Sequence, residues 1–417
     1  MRLPSKRSVA SACLLAALLA GAGCRRHGAT SHATTSATTD NLKSTLSTSK
    51  LPILRWPDFS DYAALTQTFY GARNWEVAWL ENGKPTRQAQ QLIELFTASA
   101  AKGLEPEDYD ASRWPARVAG LAHASDLDLA QFDLAMTVCV MRYISDLHIG
   151  RVSPSHFAFG VSVDAKKYDL PQFLADEVVG AGDVAKALAS IEPQTEQYRD
   201  TLAALVRYQA LAQKEKQQNW QPLPVPPRPL APGSPYGAVA ALRERLQLVG
   251  DLPGDAATSQ APGAAVYDAT LSQAIQQFQR RHNLPNDGKL TPQTVAALNV
   301  PLTMRVHQLE DSLERWRWLS DQYLNAAILV NIPEYALRAY NDDHKVDFMM
   351  KVVVGDSVKE DHQTPVLTET MKYVVMRPYW NVTPTIIKQE IISHIEKSKS
   401  YLSEKNFEVV NGSGKPV

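Results

Sequence analysis

Residues 345–356 read KVDFMMKVVVGD, and in them Val346, Phe348, Met350, Val352 and Val354 alternate with Asp347, Met349, Lys351 and Val353. A period of two marks a strand that buries one face. The stretch before it, AAILVNIPEYALRAY (residues 326–340), and the stretch after it, MKYVVMRPYWNVTP (residues 371–384), are also rich in β-branched side chains and bounded by Pro, Asn and Asp. With a turn at Gln363-Thr364-Pro365, the three blocks predict a sheet.

Upstream the texture is helical. Residues 304–324 carry Leu309, Leu313, Trp316 and Leu319 on one helical face, a connecting helix expected to pack against the sheet. That spacing makes Trp316 and Trp318 packing residues before it makes them a sugar-stacking platform. Before this lies a small module over residues 236–300. Val239, Leu242, Leu246 and Val249 mark one helix ending at Gly250, and Leu271, Ala274, Ile275 and Phe278 mark a second ending near His282. Thr291-Pro292, an N-cap followed by Pro at the first helical position, opens a third helix through Leu298. Residues 219–235 are proline-rich (WQPLPVPPRPLAPGSP from Trp220) and read as a semi-rigid extended linker.

Residues 51–218 read as a helical body. Its aromatic start (Phe69, Tyr70, Trp75, Trp79) is followed by helices over 88–104, with Gly103 as C-cap, over 127–154, ended by Gly150 and Pro154, and over 195–218. Cys139 sits among Met136, Val138, Val140 and Met141, the setting of a protonated core thiol. His148 and His156 have no Cys, Glu or third His at ligand spacing, so they read as capping or surface residues and no metal is expected.

At the N-terminus, Arg2, Lys6 and Arg7 precede an apolar run too short to span a membrane comfortably, and residues 1–24 read as a signal peptide. Its end resembles a lipoprotein signal with Cys24 as the lipidated residue, while ordinary cleavage near residues 20–22 stays open. Residues 25–49 are Thr, Ser and Ala with few large apolar side chains, and predict a disordered tether. The balance of 43 basic and 44 acidic residues, a net charge of −1, argues against nucleic acid as a partner.

Several phrases carry a family resemblance. VNIPEYALRAY, VVVGD, QTP and RPYWNVTP resemble the start of an L,D-transpeptidase (YkuD-type) catalytic domain, GLEPEDYD and SDLHIGRVSP its helical scaffold domain. AVAALRERLQLVGDL and YDATLSQAIQQFQRRHNLPNDGKLTPQTVAALNV resemble a three-helix peptidoglycan-binding domain. The resemblance implies an α+β protein: a scaffold, a peptidoglycan-binding module, and over 326–417 the N-terminal part of a β-rich catalytic domain. It implies an acyltransferase of peptidoglycan and cell-wall biogenesis and cell shape. A cysteine acyl-enzyme would form 3-to-3 cross-links between stem peptides, without cofactor, in the periplasm or as an outer-membrane lipoprotein held by its lipid anchor. In that family the nucleophile sits in a Ser-His-Gly-Cys type motif, which this chain lacks. The motif is expected beyond Val417, so no catalytic residue is assigned, His362 and His394 included. The chain reads as truncated before that motif and inactive alone, with strand edges and apolar surface exposed. Arg280, Arg281 and His282 are candidate substrate-binding residues, the alternative being a core Phe278 with solvated basic neighbours. A non-catalytic peptidoglycan-binding envelope protein is the alternative function.

Overall fold

The computed structural model describes residues 34–157, 161–254, 265–356, 363–376 and 378–417. The signal segment with Cys24, and His362, lie outside the described residues. The chain divides into two units, residues 1–366 and 367–417. An α+β arrangement is what forms.

The first unit begins with a helical body of α1 (Ser36–Thr48), α2 (Ser60–Ala72), α3 (Arg87–Thr97), α4 (Trp114–Gly120), α5 (Asp126–Ile149), α6 (Leu170–Phe173), α7 (Val184–Ala189) and α8 (Glu196–Gln217). A two-residue hairpin, β1 (Leu80–Glu81) and β2 (Lys84–Pro85), precedes α3. The axis is α5: Ser125 and Asp128 close a capping box at its start, and every residue from Phe132 to Met141 is buried, so its middle is enclosed on all sides. As expected, it stops at Gly150, where φ is 85°.

The disordered tether expected over 25–49 is corrected here, because residues 36–48 are helical. Thr35 caps α1 by accepting from the Thr38 N–H at 3.0 Å, and Leu42 and Leu46 are buried in the core that α5 dominates. The Thr35 and Thr38 hydroxyls both donate to Asp126 at the start of α5. Two leucines on one face suffice when a neighbouring helix receives them.

The proline-rich segment is also corrected. It is packed into the module rather than standing as a semi-rigid spacer between domains: Leu223 is buried in the module core, and the Asn299 side chain bonds both its N–H (2.8 Å) and its carbonyl (2.9 Å). Leu230 pairs with Leu290 as a β-bridge. Proline withholds its own N–H but leaves carbonyls and intervening leucines to be used. The module itself forms as expected, with α9 (Val239–Val249), α10 (Ala269–Arg281) and α11 (Pro292–Leu298). Its core also takes Ala212 from α8, so the scaffold helix runs into the module and the boundary at 218–219 does not separate two cores.

The connecting helix is α12 (Leu302–Trp318), followed by the short α13 (Asp321–Leu324) rather than one helix over 304–324. It packs along α8, with Leu313 buried beside Tyr198 and Leu205. Its last turn is pinned to the scaffold. The Arg317 guanidinium, wholly buried, donates to the Lys102 carbonyl and, at 3.2 Å, to the Tyr198 hydroxyl. Glu314 accepts from the Val152 N–H at 2.8 Å, and a Cβ at Gly150 would come within 2.5 Å of that carboxylate. Only glycine combines that approach with a positive φ.

Asp146, beside this joint, accepts from the Tyr109 hydroxyl at 2.6 Å. Burial, reinforced by Glu314 and Asp108 and opposed by Tyr109 and Arg151, raises its pKa from 3.8 to about 7. A raised folded-state pKa gives stability that is full below 3.8 and lost as pH rises through about 7. Asp146→Asn keeps an acceptor for Tyr109 and carries no charge. It is expected to be the more stable protein by on the order of 2 kcal/mol at pH ~8 and nearly equal to wild type at pH ~4. Urea unfolding of both proteins at the two pH values checks this; parallel pH profiles would refute it.

The last part of the unit is an antiparallel sheet in the order β3 (Ile328–Asn331), β4 (Ala336–Tyr340), β5 (Val346–Lys351). The block over 326–340 is thus two strands, turned at Ile332–Glu334 with Tyr335 at φ 57°. Only Ala336 and Ala339 of β4 are buried. The one-sided burial expected of Val346, Phe348 and Met350 is not found: every β5 residue is exposed, Phe348 at 49% and Met350 at 50%. Alternation makes a strand two-faced; burial requires an element to cover one face, and β5 has none among the described residues.

In the second unit, residues 371–376 and 378–383 form no ladder, although their composition predicts a strand. A helical run follows as Pro384–Ile386, a π-helical Ile387–Ile391 and Ile392–Lys397, then a turn at Tyr401–Glu404. No described helix is long and apolar enough to cross a membrane.

Candidate functional site

The amphipathic α10 buries Leu271, Ala274, Ile275 and Phe278 and leaves basic residues in its last turn, where the helix dipole favours them. Arg281 grips Asp251 through two nitrogens and lies 3.4 Å from the Tyr208 hydroxyl. Its guanidinium therefore ties α10 to the end of α9 and to α8. His282 lies against Phe278, ring centroids 4.1 Å apart. Burial, with Arg305 and Arg281 nearby, lowers its pKa from 6.5 to about 4, so the imidazole is neutral near pH 7. Arg280 is exposed.

His282 opens onto a small pocket whose other polar groups are Tyr208, Arg245 and Arg305, set among Phe278, Leu298 and Leu302. These polar residues come from α8, α9 and α12, three separate sequence segments, and nothing in their local sequence marks them. Arg245 is buried and committed: it donates to Glu215, to the Leu298 carbonyl at 3.0 Å and to the Val300 carbonyl at 2.8 Å, with Trp220 4.2 Å below it. Arg305 has its nitrogens on the Gln308 side chain (2.9 Å) and the Ala297 carbonyl (3.2 Å). Of the three residues read as substrate contacts, the structure brings His282 to this pocket, places Arg281 behind it in an ion pair, and leaves Arg280 outside its lining.

Comparison with known families gives three matches in series. Residues 64–205 match the "Scaffold domain", residues 236–298 the "Putative peptidoglycan binding domain", and residues 325–416 the "L,D-transpeptidase catalytic domain". The last of these makes residues 325–416 similar to an L,D-transpeptidase catalytic domain. A Haemophilus influenzae protein named "Putative L,D-transpeptidase" is 26% identical over 140 residues, 32% of this chain. The similarity spans 27% of that relative's length.

Within the L,D-transpeptidase match, residues 325–416 contain no cysteine. His394 is exposed, its Nδ1 2.7 Å from the Glu390 carbonyl and its ring stacked on Tyr401. Tyr379 and Trp380 are exposed in the second unit. Val417 is exposed. Its N–H donates to the Val409 carbonyl at 2.9 Å, next to a bridge between Val410 and Pro416. Cys139 lies in α5 of the scaffold, wholly buried, and burial pushes its thiol up to about 12. A thiol held protonated there is a packing residue.

Proposed function

We propose that the chain serves peptidoglycan L,D-transpeptidation, in which a cysteine thiolate takes the acyl group of one stem peptide and passes it to a side-chain amine of another, giving a 3-to-3 cross-link. Such a reaction needs a thiolate made nucleophilic by a base and N–H donors at the oxyanion. The observation that supports this reading best is the succession of scaffold, peptidoglycan-binding and catalytic matches along the chain. The periplasm, with a lipid anchor at Cys24, is the location that goes with it.

The 417 residues include three cysteines: Cys13 and Cys24 in the proposed signal segment, and the protonated Cys139. We therefore propose that these residues alone bind the wall without turning it over. That observation favours a second reading, a non-catalytic wall-binding protein. Two assays on the purified chain separate the outcomes. Co-sedimentation with purified sacculi is expected; its absence would refute wall binding. Incubation with disaccharide-tetrapeptides, read by mass spectrometry, is expected to give no cross-linked dimer. A dimer that survives Cys139→Ser would mean that a residue other than Cys139 is the nucleophile.

A further inference from the structure

The arginines around the His282 pocket are not equally compensated. Arg245 has Glu215 and Arg281 has Asp251, whereas Arg305 has no carboxylate within ion-pair distance among the described residues. Its charge is half-enclosed, and burial together with Arg245 and Arg281 lowers its pKa. The His282 ring nitrogens have no hydrogen-bond partner among the described residues, and the Tyr208 hydroxyl, which accepts from Arg281, still has its own proton to donate. Arg305, His282 and Tyr208, with one positive charge that no described carboxylate meets, therefore line a space whose walls are mostly apolar.

The space is about 10 Å³, the room one water-sized group needs. It has room for one oxygen of an anion, whose pairing with a guanidinium the low polarity of the walls strengthens. Peptidoglycan stem peptides end in a carboxylate, which presents one such oxygen.

We infer that Arg305, His282 and Tyr208 form a carboxylate subsite, shared by connecting helix, module and scaffold, that takes the C-terminal carboxylate of a peptidoglycan stem peptide. This rests on the wall-binding reading above. It moves the contact from Arg281, which is occupied by Asp251, to a residue outside the matched module. Because the site needs α8 and α12, the excised residues 236–300 lack it.

The test uses the full chain and a stem tetrapeptide with a free C-terminal carboxylate, its C-terminal carboxamide, and acetate alone, titrated calorimetrically. The acid is expected to bind about 10-fold tighter than the amide, the scale of one charge-assisted contact, and acetate to compete only weakly. Arg305→Gln is expected to abolish the acid-over-amide preference, Arg305→Lys to retain part of it, and Tyr208→Phe, which keeps the ring, to weaken it about 3-fold. Thermal melts confirm that each variant is folded; if Arg305→Gln is not, the lysine and phenylalanine variants decide. Equal binding of acid and amide by wild type, or a preference that survives in the folded variants, overturns the subsite. Co-sedimentation with sacculi is read in parallel: if it persists while the preference is absent, only the subsite fails, and if wild type fails to sediment, the wall-binding reading fails first.

Discussion

Asp133→Ala is expected to cost the scaffold about 3–5 kcal/mol, the largest effect of any single polar replacement in it. Asp133 is wholly buried in the middle of α5. Its carboxylate accepts from the Ala78 N–H at 3.0 Å, the Trp79 N–H at 2.8 Å and the Tyr70 hydroxyl at 2.7 Å. Tyr70 and the Trp79 indole in turn meet Thr137, one helical turn along, at 2.8 and 2.9 Å. Alanine would strand two backbone donors and a phenol where water does not reach, and would leave a cavity as well. Asp133→Asn keeps an acceptor and should lose roughly half as much. The unfolding midpoint in urea measures both; a loss below about 1 kcal/mol for the alanine variant would mean that water relieves the stranded donors.

Arg245→Met should be nearly as damaging, at about 3–5 kcal/mol, but in the module. The Arg245 and Glu215 side chains are 2% and 11% exposed, and Glu215 also accepts from the Leu302 N–H at 2.8 Å. This one cluster joins α8, α9 and the start of α12. Methionine would fill the space but leave Glu215 charged and enclosed, with the Leu298 and Val300 carbonyls short of a donor. The double variant Glu215→Leu/Arg245→Met is expected to be less destabilised than the sum of the two single changes, since an absent pair costs less than half of one. Additive losses would count against the coupling. Protease cutting within residues 236–300 should rise in the single variant and fall back in the double.

Both sites illustrate what a sequence hides. In LDLAQFDLAMTVCVMRYISDLH, Asp133 is one acid in an apolar helix, and nothing nearby says that the Ala78-Trp79 backbone will need it. Arg281 stood out because it belongs to a basic cluster at a helix end, yet the structure uses it against Asp251. Arg305 did not stand out, because its neighbours Tyr208 and His282 are distant in sequence.

The positions of α5, α8, α9, α10 and α11 were legible from the sequence alone. Apolar spacing, the Thr291 cap and the stop at Gly250 are local signals, and local signals decide helix limits. The sequence likewise determined the α+β class and the succession of three domains, since phrases of adjacent residues carry both. Tertiary structure alone decided that residues 36–48 fold, that the proline-rich segment packs, and that β5 lies exposed. It alone decided that Arg317 reaches back 215 residues to the Lys102 carbonyl and holds α12 to the scaffold. Each depends on which distant surface covers a side chain or meets its charge, and burial and pairing are properties of two segments, of which a local pattern describes only one.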